Sequence, residues 1–133
     1  MNDLSQKLSA AVASGKLLEC ARENILSLLN GAASDLPSRV VEELLAAGNF
    51  DELNDRFFKT LAFGTGGLRG RTIGRTVTVA EQGSGGPNGR PEFPCIGTAA
   101  MNYYNVSRAV RGMIAYVHAF VADGDKPTFV FAH

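Results

Sequence analysis

The chain has 133 residues, its 13 basic and 13 acidic side chains cancel, and 45% of its residues are hydrophobic. This size and composition predict one ordinary globular domain with a buried core and exclude a disordered chain. The balanced charge gives no reason to expect a nucleic acid or a membrane as partner, and no apolar run is long enough to cross a bilayer.

The two cysteines, Cys20 and Cys95, lie far apart and have no spacing typical of metal ligands or of a redox pair. No apolar secretory segment follows Met1. Both cysteines are therefore expected to be reduced thiols of a cytoplasmic protein.

The first half of the chain carries apolar residues at helical spacing and predicts four helices. Helix-ending residues separate them at Gly15, at Asn30-Gly31 and at Gly48. Pro37 suits the first turn of the third helix, and Asn49 is expected to cap the fourth. The apolar faces of these helices are expected to pack in a core.

The strongest chemical signal is the segment 61–70, Leu-Ala-Phe-Gly-Thr-Gly-Gly-Leu-Arg-Gly, here called the glycine loop. Glycines let other groups approach the backbone, and the Arg69 guanidinium matches phosphate oxygens in a bidentate way, with the Thr65 hydroxyl as a further donor. The spacing fits neither the dinucleotide-binding fingerprint nor the P-loop. The residues alone leave two interpretations open: a phosphate-binding turn, or a structural turn whose arginine pairs with a carboxylate.

Further along the chain, residues 76–79 alternate in polarity and predict a half-buried strand. Residues 83–94 have the composition of a loop, and Asn105 is expected to cap a helix with one apolar face. A turn at 123–125 and the apolar run 127–132 predict a final buried strand. This order of elements predicts an α/β domain with α/β/α layers around a mixed sheet.

Three segments resemble the phosphoglucomutase/phosphomannomutase (α-D-phosphohexomutase) family. The glycine loop resembles the Phe-Gly-Thr-small-Gly-Leu/Ile-Arg-Gly motif that opens the first domain of these enzymes. Residues 48–58 are similar to the family's lead-in helix, and residues 96–102 and 106–116 are similar to its first core helix and the approach to it. Two positions depart from the family pattern: Gly66 stands where Ala or Ser is frequent, and Ala100 stands where an arginine is usual.

The resemblance implies a helical N-terminal extension over residues 1–60 and the first part of domain I over residues 61–133. Enzymes of this family interconvert hexose 1-phosphate and hexose 6-phosphate through a phosphorylated serine and a bisphosphorylated intermediate, with magnesium. The resemblance implies that Thr65, Gly66 and Arg69 contribute to the phosphosugar-binding entrance.

On this hypothesis the chain is a truncated N-terminal fragment that is inactive alone, because the catalytic serine would follow His133. Its partners would be the phosphosugar and the remaining domains, and magnesium and a hexose bisphosphate would serve the full-length enzyme without binding this segment. The Asp-Gly-Asp at 123–125 is similar to the family's magnesium loop but lacks its third aspartate, so a turn is expected there. The alternative is a non-enzymatic binding or assembly module with an anion-binding glycine loop.

Overall fold

The computed structural model describes residues 2–121, 125–128 and 130. The predicted turn at 123–125 lies outside the described residues except for Asp125, the predicted strand at 127–132 is described only at residues 127, 128 and 130, and His133 lies outside them. The described part contains six α-helices and one short 3-10 turn. In chain order they are α1 (Asn2–Ala13), α2 (Glu19–Gly31), α3 (Leu36–Ala46), α4 (Phe50–Phe57), α5 (Val79–Gln82), the 3-10 turn (Pro87–Gly89) and α6 (Tyr103–Phe120).

The prediction of four helices in the first half of the chain is confirmed by α1 to α4. Pro37 occupies the first turn of α3, where its missing N–H has no partner to lose. The side chain of Asn49 caps α4 by accepting a hydrogen bond of 3.3 Å from the backbone N–H of Glu52. Local signals of the sequence therefore mark where α3 and α4 begin.

The core is one cluster of buried apolar side chains contributed mainly by α1 to α4. Its fully buried members include Leu8, Ala21, Ile25, Val40, Val41, Leu53 and Phe57. Ala80 of α5 belongs to the same cluster, and Ile96 and Tyr104 pack against it while remaining partly exposed. Helix α5, Ile96 and the first turn of α6 are thus packed on the four helices.

The prediction of α/β/α layers with a mixed sheet is wrong, because the described residues are helical and contain no strand. Their one β-type pairing is an isolated antiparallel bridge between Gly64 and Gly67. In the predicted strand 76–79, the Thr78 hydroxyl accepts from the N–H of Glu81 at 3.1 Å, and the Glu81 carboxylate accepts from the N–H of Thr78 at 3.1 Å. This reciprocal capping starts α5, so a local helix signal prevails over a four-residue alternation.

Helix α6 begins at Tyr103, earlier than predicted, because Asn102 rather than Asn105 is its N-cap. The Asn102 side chain accepts a 3.0 Å hydrogen bond from the N–H of Asn105. Beyond its first turn α6 leaves the core, and its apolar residues Val110 and Ile114 are exposed. Across the described residues, no helix combines the length and apolar character that a membrane crossing requires.

Candidate anion-binding site

The glycine loop is held at both ends by one neighbouring segment, residues 95–102, here called the base segment. At one end the N–H of Leu61 donates to the carbonyl of Thr98 at 2.7 Å. At the other end the N–H of Met101 donates to the carbonyl of Arg71 at 2.8 Å. The residues between these two anchors protrude, and residues 62–66 are all exposed.

The tip of the glycine loop is a tight turn closed by a 3.0 Å hydrogen bond from the N–H of Gly64 to the carbonyl of Gly67. Gly67 has a φ of 137°, which side chains with a Cβ rarely allow, so the turn requires glycine there. Thr65 and Gly66 are the exposed central residues of the turn. Within the described residues their backbone N–H groups donate no hydrogen bond, and these groups can therefore serve a ligand.

The side chain of Arg69 folds back over this turn. Its Nη2 lies 3.8 Å from the position that a Cβ on Gly66 would occupy, and Arg69 is exposed. Among residues 2–121 it makes no ion pair, whereas Arg71, two residues later, pairs with Asp55 of α4. The structure thus brings Thr65, Gly66 and Arg69 together at one exposed tip. Such a tip can give an anion charge-assisted hydrogen bonds from a guanidinium and neutral ones from the turn.

A second arginine, Arg56 of α4, was not singled out from the sequence and is the best-satisfied polar side chain of the fold. It is 1% exposed, and each of its five N–H groups has an acceptor. Its Nε donates to Glu52 at 2.8 Å, its Nη1 to Glu81 at 2.6 Å and to the carbonyl of Ile96 at 3.3 Å. Its Nη2 donates to the carbonyl of Thr76 at 2.5 Å and to the second oxygen of Glu81 at 3.3 Å.

The two carboxylates around Arg56 accept further hydrogen bonds. Glu81 also accepts from the N–H of Ile96 at 2.8 Å and from the hydroxyl of Thr78 at 3.0 Å, and Glu52 accepts from the N–H of Arg75 at 3.1 Å. Burial acts to lower the pKa of the Arg56 guanidinium, but the hydrogen bond to Glu81 and the nearby negative charges outweigh burial and raise it. Arg56 therefore stays charged and ties α4, α5 and the base segment together.

Close packing around Arg56 explains one glycine of the base segment. A Cβ on Gly97 would lie 2.8 Å from the carbonyl oxygen of Arg56 and 2.9 Å from its Cβ, closer than real Cβ atoms approach. The absence of a side chain at Gly97 also lets the N–H of Ala99 donate to the Arg56 carbonyl at 2.9 Å. The base segment can therefore lie directly on α4.

The sequence does carry a signal for Arg56 that could have been used. Arg56 lies four residues after Glu52 and beside Leu53 and Phe57, so a charged residue stands on the apolar face of a helix. Charged residues at such positions are almost never fully buried unless they are paired. The pattern predicts a buried ion pair, although it cannot name Glu81 as the second partner.

Cys95 lies in the same buried region and is 3% exposed, while Cys20 is exposed. Burial raises the pKa of the Cys95 thiol to about 11. The thiol is therefore neutral at physiological pH and is a poor nucleophile there.

The family resemblance implies magnesium in the complete enzyme, and the described residues offer few candidate ligands for it. No group of three His, Cys, Asp or Glu side chains in the described part of the chain could hold a metal ion. The buried carboxylates of Glu52 and Glu81 are engaged with Arg56. The side chains in the described part of the chain therefore do not fit a magnesium site.

No protein-family model, no curated protein and no solved structure was found to match this chain. The family resemblance of the three segments accordingly stays a prediction. The geometry of the glycine loop is the remaining basis for a functional proposal.

Proposed function

We propose that this chain contributes part of the phosphosugar-binding entrance of a phosphohexomutase of the phosphoglucomutase/phosphomannomutase type. The observation that carries the proposal is the position of the Arg69 guanidinium over the exposed Gly66 turn. The alternative, an arginine held by a structural carboxylate, finds no such carboxylate for Arg69 among residues 2–121.

A phosphate monoester carries up to two negative charges on oxygens that accept several hydrogen bonds. The planar guanidinium of Arg69 can donate to two of these oxygens at once, and the Thr65 hydroxyl and the Gly66 N–H can reach others. In the absence of ligand, water solvates the exposed guanidinium of Arg69, so this charge needs no protein carboxylate as partner before a phosphate binds. These features support binding of a phosphate group by the tip.

The packing of the three family-like segments adds support. Residues 48–58, the glycine loop and the base segment contact one another through the Arg56–Ala99 and Leu61–Thr98 backbone hydrogen bonds. The base segment, which comes later in the sequence, therefore joins α4 and the start of the glycine loop into one support for the exposed tip. A rigid support keeps donors in place for a ligand and lowers the entropic cost of binding.

The proposal places the complete enzyme in the cytoplasm and in carbohydrate metabolism, as an intramolecular phosphotransferase. Magnesium, a hexose bisphosphate and the remaining domains would act with this segment in that enzyme. None of the serines of this chain lies in a Ser-His-Asn context, so the chain alone is expected to show no mutase activity with glucose 1-phosphate and magnesium.

The test is a titration of glucose 1-phosphate into the isotope-labelled chain, followed by NMR, with glucose as the uncharged control ligand. We expect saturable shifts at Thr65, Gly66 and Gly67, and about tenfold weaker binding by Arg69→Ala. Arg75→Ala is the matched control, because Arg75 is an exposed arginine of the same region. The hydrogen bond of Arg75 to Glu52 uses the backbone N–H, which the substitution keeps. Unchanged affinity in Arg69→Ala, or equal effects of the two substitutions, would refute the assignment of Arg69.

A further inference from the structure

A cavity of about 550 Å³ lies outside the turn 64–67 of the glycine loop. It lies between the end of α2, the α2–α3 connection, residues 93–96 and the first half of α6. Its volume falls within the range of about 300–1,000 Å³ that is usual for small-molecule sites. Neither Arg69 nor any residue of the turn 64–67 lines it.

The walls of this cavity are mostly apolar. Leu28 and Pro37 contribute to these walls, together with Phe93, Pro94 and Ile96. Such walls can cover an aromatic or aliphatic body, but they offer few hydrogen bonds to the hydroxyls of a sugar. A hexose is thus a poor occupant of this cavity.

One edge of the cavity is strongly polar and positively charged. Ser107, Arg108 and Arg111 lie on one face of α6, within a single helical turn of one another, and line that edge. Among the described residues no Asp or Glu lines the cavity, and neither arginine makes an ion pair. Nη2 of Arg108 donates to the carbonyl of Leu61, which orients its guanidinium, while Arg111 donates no hydrogen bond within the same residues.

An exposed aromatic ring stands at the rim. Tyr103 is 75% exposed although it is a large side chain at the first position of α6. A ring in this position can cover part of an apolar ligand, and its hydroxyl can remain in water. The cavity therefore combines apolar walls, an aromatic rim and two guanidinium groups at one edge.

We propose that this cavity binds a small amphipathic carboxylate, with an aromatic or aliphatic body between the apolar walls and the carboxylate at Arg108 and Arg111. The volume limits the ligand to a small molecule, and the positive charge of the two arginines, which form no ion pair within the described residues, selects an anion. The apolar walls favour a hydrophobic body over a sugar. This proposal is independent of the phosphosugar site, because it uses other residues and a ligand without phosphate.

The test uses 2-naphthoate and its neutral counterpart 2-naphthamide, each titrated into the isotope-labelled chain and followed by NMR. We expect 2-naphthoate to shift the resonances of Phe93, Tyr103 and Ser107 with saturation, and 2-naphthamide to bind about tenfold more weakly. Arg111→Gln is expected to weaken 2-naphthoate about tenfold and to leave 2-naphthamide unchanged. Arg39→Gln, an exposed arginine of α3 outside the cavity lining, is the matched control and should change neither affinity.

A second variant tests the location of the site. Ser107 lines the cavity and is exposed, so Ser107→Phe places an aromatic ring in the cavity. This variant should lose the naphthoate shifts and keep its affinity for glucose 1-phosphate. The proposal is overturned if the two naphthalene ligands bind equally, if the shifts map elsewhere or do not saturate, or if Arg111→Gln has no effect on 2-naphthoate.

Discussion

Arg56 and Arg69 carry the same side chain in opposite surroundings. Arg56 is 1% exposed, and each of its five N–H groups has a protein acceptor. Arg69 is exposed, lies over a glycine turn and makes no ion pair among residues 2–121. The residue type alone does not separate a structural arginine from a ligand-binding one. What distinguishes the two arginines is how many of the guanidinium N–H groups donate to acceptors within the protein.

This difference has an energetic basis. Removing a charge from water costs several kcal/mol, and a buried ion is tolerated only when its partners replace the lost solvation. Arg56 meets this condition with Glu52, Glu81 and two backbone carbonyls. Arg69 keeps its hydration and therefore contributes little to folding. Its donors remain available for a ligand.

The largest effect is expected for Arg56→Met. The substitution leaves Glu52 and Glu81 buried without their positive partner, which typically costs about 3–5 kcal/mol of unfolding free energy. Urea unfolding followed by circular dichroism measures this loss. Arg69→Met is the matched control and should lie within about 0.5 kcal/mol of the wild type. Similar losses for the two variants would contradict the comparison.

The next effect is a pH dependence of the buried region. The folded chain holds the Cys95 proton up to about pH 11, whereas the unfolded thiol loses it at its ordinary, lower pKa. The stability that the retained Cys95 proton contributes is fully present below about pH 9. This contribution, about 2–3 kcal/mol of unfolding free energy, is lost as the pH rises through about 11. The measurement is urea unfolding at a series of pH values.

Two cysteine variants isolate this contribution from every other effect of pH on stability. Cys95→Ala should have a flatter stability profile than the wild type between pH 9 and pH 11, whatever its offset at neutral pH. Cys20→Ala should keep the wild-type profile, because Cys20 is exposed. Parallel profiles for Cys95→Ala and the wild type would show that the thiol has no raised pKa.

The parts of the fold that could be predicted from the sequence are those with local signals. Pro37 and Asn49 mark helix starts that need no distant partner, and the predicted helices formed there. The prediction of a strand at 76–79 was wrong because Thr78 and Glu81 form a capping box that starts a helix. This signal is equally local and is stronger than a short alternation of polar and apolar residues. Where two local signals compete, the one with more specific hydrogen bonds prevailed.

In the candidate site, too, the features that could be predicted are those with a local signal in the sequence. The glycine turn and Arg69 stand out in the sequence because glycine spacing is a local property. The partners of Arg56 do not stand out, since Glu81 and the Ile96 carbonyl come near it only after the chain has folded back on α4. The positive edge at Arg108 and Arg111 was missed for the related reason that its apolar walls belong to distant segments.

For Arg69 the largest expected change is in function. In the complete phosphohexomutase of the proposed function, Arg69→Ala should lower kcat/KM roughly a hundredfold, a loss of about 2–3 kcal/mol of transition-state stabilisation, because a bidentate charged contact to phosphate is lost. Thermal stability should change little. Steady-state kinetics and thermal unfolding of the same preparation measure both quantities. A fall in activity that only follows the loss of folded protein would make Arg69 structural.

Arg71 provides the intermediate case and the smallest expected effect. It pairs with Asp55, and the two side chains are 40% and 31% exposed, so water screens the pair on part of its surface. Arg71→Ala should therefore cost about 0.5 kcal/mol of stability at low salt, and most of that loss should disappear in 1 M NaCl. The loss in Arg56→Met should persist in 1 M NaCl, because a buried pair is screened much less. Urea unfolding of both variants at the two salt concentrations measures these losses. A salt-independent loss in Arg71→Ala would place Arg71 with Arg56 among the structural arginines. A weakened affinity of Arg71→Ala for glucose 1-phosphate, measured by NMR titration, would place Arg71 with Arg69.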